Sequence, residues 1–183
     1  IRSSTGNMVD VPVWMVNDEW VYATSIDVSP AMAGTDLDDP SVNIDPVIGD
    51  TTLLVNEIRI ENLDGINTLV YVLIGNGHYE GDIFIPSGIA SDLAGQWVPF
   101  NINGNLVADL EIERLVRVSD LSVVYQTQTI DVNVLNIPLL GTFAVGVITL
   151  EQSYSPSIEQ YDFPLDVGNN WLMNHTENTV WSG

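Results

Sequence analysis

Apolar residues recur in this chain with a period of two and almost nowhere with the 3.6-residue period of a helix. In LVADLEIERLVRV, Leu106, Ala108, Leu110, Ile112, Val116 and Val118 fall on one side, with Asp109, Glu111, Glu113 and Arg117 on the other. In TTLLVNEIRIENLDG, Leu54, Ile58 and Ile60 share a side opposite Glu57, Arg59 and Glu61. Such alternation describes antiparallel strands with one packed face and one wet face. Arg114 interrupts the apolar side and is expected to pair with a carboxylate near the sheet's end. Two runs, TLVYVLI (68–74) and TFAVGVITL (142–150), are apolar on both sides. Both are expected to be buried twice, in the middle of a sandwich or beneath a covering segment.

Turn chemistry punctuates the alternation. Asp64-Gly65 separates two strand patterns and predicts a tight hairpin, because such turns need positive φ. Asn103-Gly104 offers the same signal, and the glycine-rich IGNGHYEGD (74–82) is expected to turn or bulge the chain. One short helix is predicted within 86–97, with Ser87 as its cap and Gly95 as its stop. Residues 29–50, acidic and holding three prolines, read as one long loop. The expected fold is all-β: an antiparallel β-sandwich, or a strongly curved sheet or half-barrel, with at most one short helix. We read 1–183 as a single β domain, with 1–100 and 101–183 as two small β units in the alternative.

Charge narrows the function classes. Against 25 Asp and Glu stand 4 basic residues, all arginine, for a formal net charge of −21. Nucleic-acid binding relies on clustered Lys and Arg that release counterions, and no cluster exists. An anionic membrane surface would repel the chain for the same reason. Dense carboxylate suits high salt, where repulsion is screened over a few Å, or strong acid, where it is neutralised. Either milieu points to an extracellular or cell-surface protein. The absence of cysteine removes disulfides and thiolate chemistry. No apolar run is long enough to span a membrane. The opening IRSSTGNMVDVP, without Met or an apolar leader core, fits a mature chain.

A similar phrase stands near both ends: Pro12, then the Asn17-Asp18 turn and Trp20, and Pro164, then Gly168-Asn169 and Trp171. A Trp at a strand start is expected to plug the end of a sheet. The first phrase, WMVNDEWVY (14–22), resembles the W-x-x-G-D-x-W-x-Y opening of archaeal secreted and cell-surface β-rich proteins. SDLSVV (119–124) and YSPSIEQYDFPLDVGNNW (154–171) are similar to later motifs of such proteins, in which Y-S-P-P and F-P-L-x-V-G-x-x-W recur. Asn17 stands in place of the usual Gly, and Ser157 in place of the second Pro. The resemblance implies an envelope module, in some members a curved, lipoprotein-carrier-like sheet. It carries no catalytic residue.

Few constellations suggest chemistry. Asp36, Asp38, Asp39 and Asp45, near Asn43, are hard oxygen ligands that suit weak calcium binding, although the glycine and glutamate of an EF-hand are missing. No other cofactor is expected. His78, Glu80 and Asp82 share one strand face and, with His175, make a candidate metal set. Asn174 heads the one glycosylation sequon. No Gly-x-Ser-x-Gly elbow occurs, so no catalytic residue is assigned and the chain is not expected to be an enzyme. The five Trp and Tyr79 are expected to fill the core or plug its ends.

The expected function is a non-enzymatic structural subunit of a surface layer or filament. Its partners would be further copies of itself or other cell-surface proteins, joined through β-strands. The end segments 8–16 and 172–181 are the candidate assembly strands, with Val9, Val11, Val13, Trp171 and Trp181 as apolar contacts. Two alternatives stand beside it. One is a binding module with a lipid held between strands 68–74 and 142–150, and the other is an extracellular hydrolase using His78 or His175.

Overall fold

A computed structural model describes residues 10–27, 34, 38–63, 65–95, 97–137, 141–158 and 176–182. The strands are β1 (Glu19–Ile26), β2 (Asn43–Ile44), β3 (Val47–Leu63), β4 (Ile66–Ile85), β5 (Ile102–Arg117), β6 (Val123–Ile137), β7 (Gly141–Ile158) and β8 (Thr176–Ser182), with one helix, α1 (Ser87–Ala94). All eight strands belong to one antiparallel sheet in the order β1-β3-β4-β5-β6-β7-β8, and β2 pairs with the end of β4. The sheet is not closed into a barrel. The all-β class is therefore found, with one short helix among the described residues. No helix among the described residues is long and apolar enough to cross a membrane.

The central strands are unusually long. β4 has 20 residues, which at the rise of a strand is roughly 65 Å. Among the described residues the buried side chains of β4 gather toward its two ends. One face carries both large clusters. Near the end of β4, Val47, Tyr79, Ile83, Ile85, Leu106, Val134 and Ile137 pack with Ala90 of α1. At the other end, Val55, Tyr71, Leu73, Val116, Leu121 and Val123 pack beneath Val11, Trp14 and Trp20. We call this the covered face. The opposite face is largely wet, with a small patch of Val70, Val72 and Leu115.

Several local expectations are met. β3 ends at Leu63 and β4 begins at Ile66, with Gly65 between them at φ 85° and its N–H held by Asn62 Oδ1; Asp64 lies outside the described residues. Residues 70–73 are buried on both faces. Leu106, Ala108, Leu110, Ile112 and Val116 all pair in rows that point to the covered face. α1 stops at Gly95, which adopts the left-handed φ of 61°.

Other expectations are corrected. Ser87 is not the cap: Pro86 occupies that position without a side-chain cap, and the Ser87 N–H bonds Asn101 Oδ1. Asn103-Gly104 makes no hairpin but lies inside β5, where Gly104 pairs with Ile83. The glycine-rich 74–82 neither turns nor breaks, because those glycines sit mid-strand where the covered face leaves no room for a side chain. A Cβ on Gly77 would stand 2.8 Å from the Tyr79 ring, and one on Gly75 would stand 2.4 Å from Leu53 Cδ2. A bulge between Val55 and Glu57 moves the packed set of β3 to Thr51, Leu53 and Val55, so Leu54 lies opposite the face expected for it. The long loop ends earlier than read, since 43–44 and 47–50 are strand.

Candidate functional site

Among the described residues the expected metal ligands do not converge. Asp36 and His175 lie outside the described residues. Asp38 accepts the Gly34 N–H, Asp39 accepts both the N–H and the hydroxyl of Ser41, and Asp45 accepts from Asn43. These are short-range contacts that shape the loop, and the Ser41 hydrogen bonds lower the Asp39 pKa. Among the described residues no three acidic or histidine side chains are grouped to hold an ion. The His78 trio separates as well. His78 Nδ1 lies 2.6 Å from Asp109 and Nε2 lies 3.0 Å from Glu80, while Asp82 takes a hydrogen bond from Asn105. Both ring nitrogens thus serve an ion-pair ladder. Hydrogen bonds from His78 to Asp109 and then Glu80 raise its pKa.

Arg114 does not pair with a carboxylate among the described residues. Its Nε donates to Gln126 Oε1 at 2.5 Å, Gln126 Nε2 donates to Gln152, and Gln152 Nε2 donates to Glu177. An amide chain across β6 and β7 therefore stands between this cation and an acid. Burial lowers the Arg114 pKa, opposed by nearby Tyr154 and Tyr22. Arg117 is held at the β5–β6 turn by Asp120 and Ser157.

The assembly residues fare unevenly. Val9, Trp171 and the sequon Asn174 lie outside the described residues. Val11 packs on its own sheet, in the cluster with Trp14, whereas Val13 is 82% exposed. Trp181 lies in β8 opposite Leu150, so this end segment already has a partner in its own chain. Trp97, expected in the core, is 81% exposed. Trp14 and Trp20 do pack together, with ring centroids 4.9 Å apart.

What the alternation did not reveal is the edge of β7. The run 142–150 is not buried twice. Thr142, Ala144, Gly146, Val147 and Ile148 are exposed, because β8 covers β7 only from Thr149 to Ser155. Gly141–Ile148 therefore presents an outer edge with no strand beside it among the described residues. One sequence signal marks it. Residues 132–150 form the longest stretch without a charged residue in a chain dense with acids. On the other side β1 covers β3 from Val47 to Leu54, and no strand lies beside 56–63 among the described residues; there Arg59 pairs with Glu57 and Glu61.

No family model, curated protein or solved structure matches the chain.

Proposed function

We propose that the chain is a non-enzymatic structural protein of the cell exterior, a subunit that joins copies of itself through β-strand contacts into a filament or layer. The observation that carries this reading is the open edge Gly141–Ile148: eight residues of strand, uncharged and apolar but for Thr142, with no strand paired to its outer side among the described residues. Natural sheets blunt such edges with charge, and 141–148 carries none, whereas 56–63 carries Glu57, Arg59 and Glu61. A bare edge in a molecule of net charge −21 is the place where two copies meet with the least repulsion. The acids lie elsewhere: the row Ala23–Asp50–His78–Asp109–Asp131–Val147 keeps its charges on β3 to β6 and ends in Ala23 and Val147.

A lipid-binding pocket gains no such support. Strands 68–74 and 142–150 stand in one open sheet with β5 and β6 between them. The first buries Val70, Tyr71, Val72 and Leu73 in its own clusters, while the second exposes Thr142, Ala144, Val147 and Ile148.

Electron microscopy with light scattering, across salt and pH, tests the assembly. Regular fibres or sheets that dissolve when salt falls or carboxylates ionise are the expected result. A monomer under every condition overturns the reading.

A further inference from the structure

Gln152 of β7 and Thr179 of β8 stand directly opposite each other across the ladder. Glu177, on the same face of β8 as Thr179, reaches both. Its Oε1 accepts the Thr179 hydroxyl at 2.5 Å and the Gln152 Nε2–H at 2.7 Å. One carboxylate oxygen therefore gathers a hydroxyl proton and the amide nitrogen of the facing strand. On the far side of Gln152, the Gln126 Nε2–H donates to Gln152 Oε1 at 3.1 Å. Gln126 is buried, and its own Oε1 accepts the Arg114 Nε–H at 2.5 Å.

The orientation of both amides is forced by the groups at the two ends. A guanidinium can only donate and an ionised carboxylate can only accept. Arg114 and Glu177 thus leave one arrangement, with each carbonyl turned toward Arg114 and each NH2 toward Glu177. Gln152 so presents its nitrogen to the acid and its oxygen to a buried N–H donor. These are the parts that acyl transfer requires: a hydroxyl beside a base, a carbonyl oxygen already hydrogen-bonded, and a proton donor at the leaving nitrogen. Reach is sufficient as well. Facing Cβ atoms on neighbouring antiparallel strands lie roughly 4.5–5.5 Å apart, a gap that the extended linkage Cβ–Cγ–Cδ–Oγ1–Cβ matches.

We propose that the chain cross-links itself through an ester between the Thr179 hydroxyl and the Gln152 side chain. Thr179 Oγ1 attacks Gln152 Cδ while its proton passes to Glu177. The Gln126 N–H holds the oxyanion that forms, and Arg114, acting through Gln126, is a positioning residue. Collapse breaks the Cδ–Nε2 bond, and Glu177 returns the proton to the departing nitrogen. One ester forms and one ammonia leaves, with no oxidant or co-reactant. Ammonia is protonated and diluted in water, which draws the step forward. The reaction occurs once per chain, so the protein modifies itself and turns over no other substrate. In a chain without cysteine, the bond supplies a covalent rung from β7 to β8 that no disulfide can. A structural subunit under tension gains from such a rung, but the chemistry lies within one chain and does not depend on assembly.

Intact mass and peptide mapping of the full chain, folded and held dilute, test it. The expected product is lighter by one ammonia. Its proteolytic fragments carrying 152 and 179 stay together until mild alkali, which cleaves esters and spares amides, releases them. Thr179→Ser is expected to keep the link, while Thr179→Val and Glu177→Gln lose it. Gln126→Leu should slow its formation roughly a hundredfold, as loss of one oxyanion donor does. Arg114→Met should slow it too, and the double variant should be no slower than Gln126→Leu alone. An unchanged mass in the folded wild type overturns the proposal. Glutamate at 152 also overturns it, since water would then be the nucleophile. Ammonia loss that persists in Thr179→Val does the same, by placing the loss at another amide. A linked chain that stays monomeric under every condition would remove the assembly and leave the ester in place.

Discussion

Tyr71 ties the first described segment to the sheet. It is 1% exposed, its ring lies 5.1 Å from that of Trp14, and its hydroxyl accepts the Trp14 N–H at 3.1 Å. Tyr71→Phe keeps the packing and leaves that N–H without its partner, which is expected to cost about 1–2 kcal/mol by denaturant unfolding. Asn17 makes the following turn at φ 76°, with Asp18 accepting the Met15 N–H. Asn tolerates this region better than most residues. His78 titrates as part of its ladder. Its pKa is raised in the folded chain by hydrogen bonds to Asp109 and Glu80. The stabilisation it contributes is therefore full below the unfolded value of about 6.5 and is lost as pH rises through the raised folded value. Because the side chain is more than half exposed, we expect under about 1 kcal/mol. Thermal melts should separate wild type from His78→Gln at about pH 5 and bring them together at about pH 9.

At the scale of elements, glycine has two meanings in this chain, and periodicity alone does not separate them. Gly65 and Gly95 take positive φ and end their elements, as turn residues do. Gly49 is instead required by proximity, since a Cβ there would lie 1.9 Å from the His78 carbonyl oxygen. Gly49→Ala must shift the β3–β4 backbone and is expected to destabilise by about 3 kcal/mol or more, measured by urea unfolding. The same proximity explains why 74–82 is strand and not turn. The β7 edge carries the opposite expectation. Val147 is 49% exposed, so Val147→Glu should change stability by no more than about 0.5 kcal/mol. It should nonetheless raise the concentration needed for assembly by roughly tenfold, about 1.4 kcal/mol for each joint. Unchanged assembly with unchanged melting would exclude this edge from the contact.

For the whole molecule, charge and edge work against each other. A net charge of −21 repels every neighbouring copy, and the screening length falls from about 10 Å at 0.1 M salt to about 3 Å at 1 M. The concentration at which light scattering rises should therefore drop as salt is raised across that range. Lowering the pH toward the carboxylate pKa values should replace salt in that role. Antiparallel strands and the acid-rich wet face were legible in the sequence, because a half-buried strand must alternate and each alternation is local. The hairpin at Asp64-Gly65 was legible for the same reason. Sheet order, the bulge after Val55 and the amide chain that answers Arg114 were not, since each depends on which strand lies alongside. The misreading of 142–150 shows the limit most clearly. An apolar, uncharged strand has one composition whether it is buried in a sandwich or left at an edge. By itself the sequence determined that this chain forms a sheet with one wet, acidic face. Only the tertiary structure decided the order and register of its strands, because pairing is settled by residues distant in the chain.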